Sequence, residues 1–184
     1  MQFTASKLDG AWIIDVQRFD DERGFFARTW CKKTLAERGL DTGAEQMGIA
    51  FNTHKHTLRG MHYQADPHAE TKFVRCTQGV IWDCIIDLRP GSPTFRQWDA
   101  VELSALNRRT FYVPKGFAHG YLTLTENAEV TYLMTTAYEP GAGRGVRWDD
   151  PAFGIDWPAK PAVINDRDAT YGDFRPNRVA GQRG

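Results

Sequence analysis

The 184-residue chain lacks any long apolar run. No stretch approaches the roughly 20 residues that cross a bilayer, and the N-terminus, MQFTASKLDGAW, has no apolar segment of the kind found in a secretory leader. Neither a membrane span nor export by that route is expected. Net charge is also absent: 23 basic residues balance 23 acidic ones, so the basic footprint of a nucleic-acid binder is missing. Cysteine is scarce. Cys31, Cys76 and Cys84 are odd in number and show no paired spacing, which excludes a disulfide framework and reads as three reduced thiols in a cytoplasmic protein. There is no internal repeat and no low-complexity segment. The length fits one domain with a real core, residues 1–184, ending in a polar tail from about residue 170 that is expected to be mobile.

Strand patterns dominate what is present. AWIIDVQRF (11–19) is rich in strand formers and leads into the turn DDERG, and FFARTW follows. The one clear helix candidate is TWCKKTLAERGL, with Thr29 as its cap and Gly39 as its stop. KFVRCTQGVIWDCIIDLR reads as a hairpin turning at Gln78-Gly79. FRQWDAVELS, TFYVPKGFAHGYLTL and AEVTYLMTTAYEP supply further strands. Short strands at regular spacing, with little helix, predict an all-β sandwich or barrel.

In LRGMHYQ, Arg59 and His62 have opposite parity, so a regular strand would send them to opposite faces. Gly60 between them can kink or bulge the strand and relax that rule. PKGFAH (114–119) has the form P-x-G-x-x-H, similar to the second motif of the cupin jelly rolls, where a proline and glycine shape the turn and the histidine enters the barrel. Upstream, Gly60, His62, Gln64, Glu70 and Gly79 form an incomplete version of the first cupin motif. Gln64 stands where a metal-binding cupin has its second histidine, and Glu70 comes slightly late. His62 and His119 alone are a poor ligand set, so no metal site is expected. The His54-Lys55-His56 triplet and His68 read as exposed or loop histidines.

Taken in order, RGFF, LRGMHYQ, TKFVRCTQGVIWDCIIDLRPGSPTF, VPKGFAHGYLTL, VTYLMTTAYEP and RWDDPAFGIDWP resemble the dTDP-4-dehydrorhamnose 3,5-epimerase family from about residue 5 to about residue 170. The resemblance implies a cupin-type jelly-roll barrel with a short helix near the N-terminus, a homodimer, and no metal or organic cofactor. It also implies a nucleotide-diphosphate-linked 4-keto-6-deoxy sugar as partner. A C4 ketone acidifies the C–H bonds at C3 and C5, so inversion needs a base on one face, an acid on the other and a group that stabilises the enolate.

The resemblance makes His62 the base, Asp168 the carboxylate that orients it, Tyr132 the acid and Lys72 the cation near the C4 oxygen. By the same resemblance Arg59 and Arg23 contact the diphosphate, Phe26 lies near the base, Tyr138 lies beside the sugar, and His119 shares the pocket. Taken singly, each of these residues reads more simply as a core or surface group; the roles come from their joint register. Departures from the family pattern collect in the recognition set. Arg28 replaces a glutamate, Met47 and Ile49 replace two amides, Gly143 replaces a second glutamate, and Arg167 replaces a lysine. A guanidinium only donates hydrogen bonds where a carboxylate accepts them, so the expected substrate differs from dTDP-4-keto-6-deoxyglucose in nucleotide or sugar. The competing readings are a sugar 3,4-ketoisomerase and a sugar-nucleotide-binding cupin without activity.

Overall fold

Alternating apolar positions along thirteen short strands build two antiparallel sheets and a separate hairpin in the computed structural model, which describes residues 1–176. The first sheet runs in the order β1 (Gln2–Ala5), β2 (Trp12–Asp15), β10 (Thr110–Val113), β7 (Lys72–Gln78), β12 (Ala128–Met134), β5 (Gln46–Asn52). The second runs β13 (Gly143–Gly145), β6 (Leu58–Gln64), β11 (Phe117–Thr123), β8 (Val80–Asp87), β9 (Trp98–Ser104). β3 (Arg18–Asp21) and β4 (Gly24–Ala27) pair only with each other. This is the expected all-β jelly roll.

The inner faces of the two sheets meet in a core that includes Val74, Cys76, Ile81, Ile85, Phe111 and Tyr121. The outer face of the second sheet is covered by the C-terminal segment through Val146, Phe153 and Trp157. The outer face of the first sheet is covered at one end by Leu35 and Trp30, which pack near Phe73 and Tyr112. Burying roughly 1.5–3 kcal/mol of apolar side chain at each such position offsets the entropy of ordering so many short strands.

Two local expectations are corrected. The helix is only α1 (Lys32–Ala36); its N-cap is Cys31 in extended backbone, with no side-chain cap, not Thr29. Thr29 and Trp30 are weak helix formers, and Trp30 is used in the packing over the first sheet. The 72–87 stretch is not a hairpin: β7 pairs with β10 and β12, whereas β8 pairs with β11 and β9. Gly79, at φ +73°, carries the chain from one sheet into the other. A Cβ there would lie 2.4 Å from Thr125 Oγ1 and 3.2 Å from Ala128 Cα, so only glycine fits the corner. Within the tail expected to be mobile, the Phe174 ring packs against that of Phe153, tilted, with centroids 4.9 Å apart. Residues 177–184 lie outside the described residues. No helix is long and apolar enough to cross a membrane, among the described residues.

Candidate active site

A cavity of about 330 Å³ opens between the sheets, walled by β5, β6, β7, β11, β12 and β13 and closed by the segment around α2 (Asp166–Ala169). Arg59 and His62 both line it despite their opposite parity. The strand is irregular between them: Tyr121 pairs with Arg59 and His119 with His62, with a register shift in between. Gly60 lies at φ +128°, and a Cβ there would sit 2.5 Å from Gly120 Cα. Two glycines on neighbouring strands thus allow the close approach that turns both side chains inward.

His62 Nε2 lies 2.7 Å from Asp168 Oδ1, and the Gly60 amide donates to Asp168 Oδ2 at 3.0 Å. Asp168 is fully buried. Its backbone N–H donates to Asn165 Oδ1 at 2.7 Å, the cap that starts α2. Burial pushes the Asp168 carboxyl up, but hydrogen bonds from His62 and the Gly60 amide outweigh it and hold the group below the usual carboxylate value. An ionised Asp168 accepts from Nε2–H, which leaves the basic lone pair on Nδ1. The ring of Tyr171 stands edge-to-face with His62 at 6.3 Å.

Lys72 pairs with Glu70 at 3.1 Å and its ammonium donates to the His62 carbonyl at 3.4 Å. Glu70, late for a metal ligand in the sequence, holds a lysine instead. His119 is buried, with Nε2 2.8 Å from Asp83 Oδ1. Burial raises the Asp83 carboxyl above its ordinary value, partly opposed by His119. Tyr132 stands in the same cavity, its ring 6.2 Å from that of His119. Burial, reinforced by Tyr121, pushes its phenol well above the usual tyrosine value. Arg59 Nε donates to Asn52 Oδ1 at 2.8 Å. No cluster of three or more His, Cys, Asp or Glu side chains is arranged to hold a metal ion, among the described residues.

Of the residues singled out in the sequence, His62, Tyr132, Asp168, Lys72, Arg59, His119, Tyr138 and Arg167 line this one cavity. Arg23, Phe26, Arg28, Met47 and Ile49 do not. Arg23 and Phe26 belong to the β3–β4 hairpin, and Arg28 borders a small separate cavity with Cys31. Met47 and Ile49 point to the outer face of β5, 73% and 67% exposed, while Ala50 faces the cavity. Met47 and Ile49, which replace two amides of the family pattern, are therefore not part of the cavity of this chain. Sequence reasoning missed Asp83, Asn52 and Tyr121. A carboxylate at an inward position between Ile81 and Ile85 was the available signal for Asp83.

The model of the dTDP-4-dehydrorhamnose 3,5-epimerase family matches residues 5–175. The chain belongs to that family. It is thus an isomerase of the epimerase class acting on a carbohydrate. It is 38% identical over 181 residues to the dTDP-4-dehydrorhamnose 3,5-epimerase of Methanothermobacter thermautotrophicus, covering 97% of each chain. The crystal structure of the Bacillus anthracis dTDP-4-dehydrorhamnose 3,5-epimerase, with TDP and PPi bound, is similar with a TM-score of 0.90 at 36% identity, covering 94% of this chain and 99% of that one. A 3'-monoepimerase from Streptomyces bikiniensis, in complex with dTDP-quinovose, is similar with a TM-score of 0.83 at 30% identity, covering 91% and 85%. The family fold therefore serves both double and single inversion.

Proposed function

We propose that the chain inverts C3, C5 or both in a nucleotide-diphosphate-linked 4-keto-6-deoxy sugar, with His62 as base and Tyr132 as acid. The observation that carries the reading is the 2.7 Å His62–Asp168 pair in one cavity with Tyr132. His62 Nδ1 takes the carbon-bound proton, and the C–H electron pair moves into the C4 carbonyl to give an enolate. The Lys72 ammonium stabilises the oxyanion. Tyr132 then delivers its proton to the opposite face as the carbonyl re-forms. Asp168 keeps the imidazole in the useful tautomer and stabilises the imidazolium. Arg59, with Arg167 at the cavity's edge, suits a diphosphate because the guanidinium fork matches its oxygens.

The substrate is proposed to differ from dTDP-4-keto-6-deoxyglucose at its nucleotide or its sugar. Gly143 supports this: it leaves no side chain where Arg167 Nη2 comes within 3.4 Å of the empty Cβ position, with the Tyr138 hydroxyl at 4.0 Å. Donors therefore dominate that rim. A homodimer belongs to the same proposal. β5 is an open sheet edge whose outer face exposes Met47, Ile49 and Phe51, and Phe26 on the hairpin is 62% exposed. A second copy covering these groups would bury apolar surface and bring Arg23, Phe26 and Arg28 to a neighbouring site.

Calorimetric titration with dTDP, GDP, CDP and UDP tests the substrate clause. Tightest binding of a nucleotide other than dTDP is expected if the difference lies there. A clear preference for dTDP removes the nucleotide form of the proposal and leaves the sugar.

A further inference from the structure

The acid of the proposed reaction ends its step as a phenolate in a buried place. Tyr132 lines the cavity and packs, partly buried, against the core, and an anion left there without donors is costly. The group best placed to receive that charge is Tyr121 on β11. It is 1% exposed, sits at an inward position of the barrel and lines the same cavity as Tyr132, and the rings of both tyrosines lie beside the His119 ring, at 6.5 and 6.2 Å. In the resting arrangement the Tyr121 hydroxyl donates to Asn52 Oδ1 at 3.2 Å. The same oxygen also accepts from Arg59 Nε at 2.8 Å. Asn52 is itself fixed: it is 2% exposed, and its amide donates to the Ala128 carbonyl at 3.0 Å. Asn52 Oδ1 is thus served twice. If Tyr121 turns away, Arg59 still satisfies that buried acceptor, so the turn orphans nothing.

We propose that Tyr121 is a positioning residue for the acid, its hydroxyl switching from Asn52 Oδ1 to the oxygen of Tyr132 as that residue gives up its proton. The inference rests on the reading of Tyr132 as acid. In the step, the Tyr132 O–H bond breaks and a C–H bond forms from the enolate's electron pair. The C4 carbonyl re-forms, and the negative charge passes from the enolate oxygen to the Tyr132 oxygen. Tyr121 transfers no proton; it contributes a hydrogen bond that is made only after charge has moved, which is where such a bond accelerates a reaction. Arg59 thereby has a second duty, because it must hold Asn52 while Tyr121 is away.

The test uses the full chain, a 4-keto-6-deoxy sugar nucleotide and deuterium oxide. Two rates are read by NMR: hydrogen exchange at C3 and C5, which needs the base alone, and inversion, which needs the acid. Tyr121→Phe is expected to lower the inversion rate about tenfold to a hundredfold, the range for losing one donor to a developing oxyanion, with exchange and KM within about threefold of wild type. Asn52→Asp guards against misfolding of the first variant. Its carboxylate holds both Arg59 and Tyr121 more tightly, so the inversion-to-exchange ratio is expected to fall in the same direction. Tyr132→Phe is the control. If it loses inversion while Tyr121→Phe and Asn52→Asp keep the wild-type ratio, the switch is wrong and the acid assignment stands. If Tyr132→Phe inverts like wild type, the acid assignment fails and the inference falls with it.

Discussion

Replacing Asp168 by asparagine changes one charge and almost no volume, and it separates catalysis from stability. In the native chain the ionised carboxylate accepts from His62 Nε2–H and from the Gly60 amide. Asparagine keeps one acceptor, which the Gly60 amide holds, and turns its amide donor toward His62 Nε2. The imidazole proton then moves to Nδ1, and the nitrogen that should take the substrate proton has no free lone pair. A carboxylate-to-amide change that traps the wrong histidine tautomer slows catalysis by about 10⁴-fold in a serine protease. At about 1.4 kcal/mol per tenfold, a loss of 10³- to 10⁴-fold here corresponds to about 4–5.5 kcal/mol. Stability should move far less, by about 1–2 kcal/mol, because each hydrogen bond finds a replacement. Deuterium exchange at C3 and C5 at neutral pH, beside a thermal melt, measures both. The sign with pH also follows. Asp168 titrates below the usual carboxylate value, so its stabilising contribution is complete above about pH 4 and is lost as pH falls through the folded value. Asp168→Asn should lack that part of the acid transition. Exchange within about threefold of wild type, with the fold intact, would refute the tautomer argument.

Tyr132→Phe should retain exchange and lose inversion, by NMR of the sugar product. Because burial pushes the Tyr132 phenol well above the usual tyrosine value, wild-type inversion should show no loss from ionisation of this group up to about pH 9. Lys72→Ala should lower turnover about 10²- to 10³-fold by removing the oxyanion's cation, and it leaves Glu70 without its 3.1 Å partner. A rise in KM with kcat unchanged would contradict that role. Gly60→Ala should cost about 3 kcal/mol or more, since its Cβ would meet Gly120 Cα at 2.5 Å at a positive φ; a melting temperature like wild type would contradict the close approach described for β6 and β11.

The all-β class was legible because strand alternation is local; the jelly roll and the set His62, Lys72, Tyr132 and Asp168 came from the family resemblance of short ordered motifs, and the four residues line one cavity. The 72–87 stretch misled because an alternating pattern around a glycine looks the same whether the next strand pairs back or crosses to another sheet. Thr125 and Ala128, which crowd Gly79, are distant in sequence. The helix from Thr29 misled because Trp30 serves tertiary packing rather than helical periodicity. Asp83 and Asn52 escaped notice because their partners, His119 and Arg59 with Tyr121, come from other strands. That Met47 and Ile49 lie outside the cavity could not be read from motif position, since the side to which β5 turns each residue is set by its pairing with β12.

The central claim is that His62 removes a carbon-bound proton beside a C4 ketone and Tyr132 returns one from the other face. Incubation of the chain in deuterium oxide with 4-keto-6-deoxy sugars linked to dTDP, GDP, CDP and UDP, followed by NMR at C3 and C5, tests it most directly. The account predicts deuterium at one or both carbons together with inverted configuration, for one nucleotide above the rest, and none of either with His62→Ala. Deuterium incorporation and inversion that persist in His62→Ala, or a wild-type chain that binds one of these sugar nucleotides and leaves both carbons unlabelled, would contradict it.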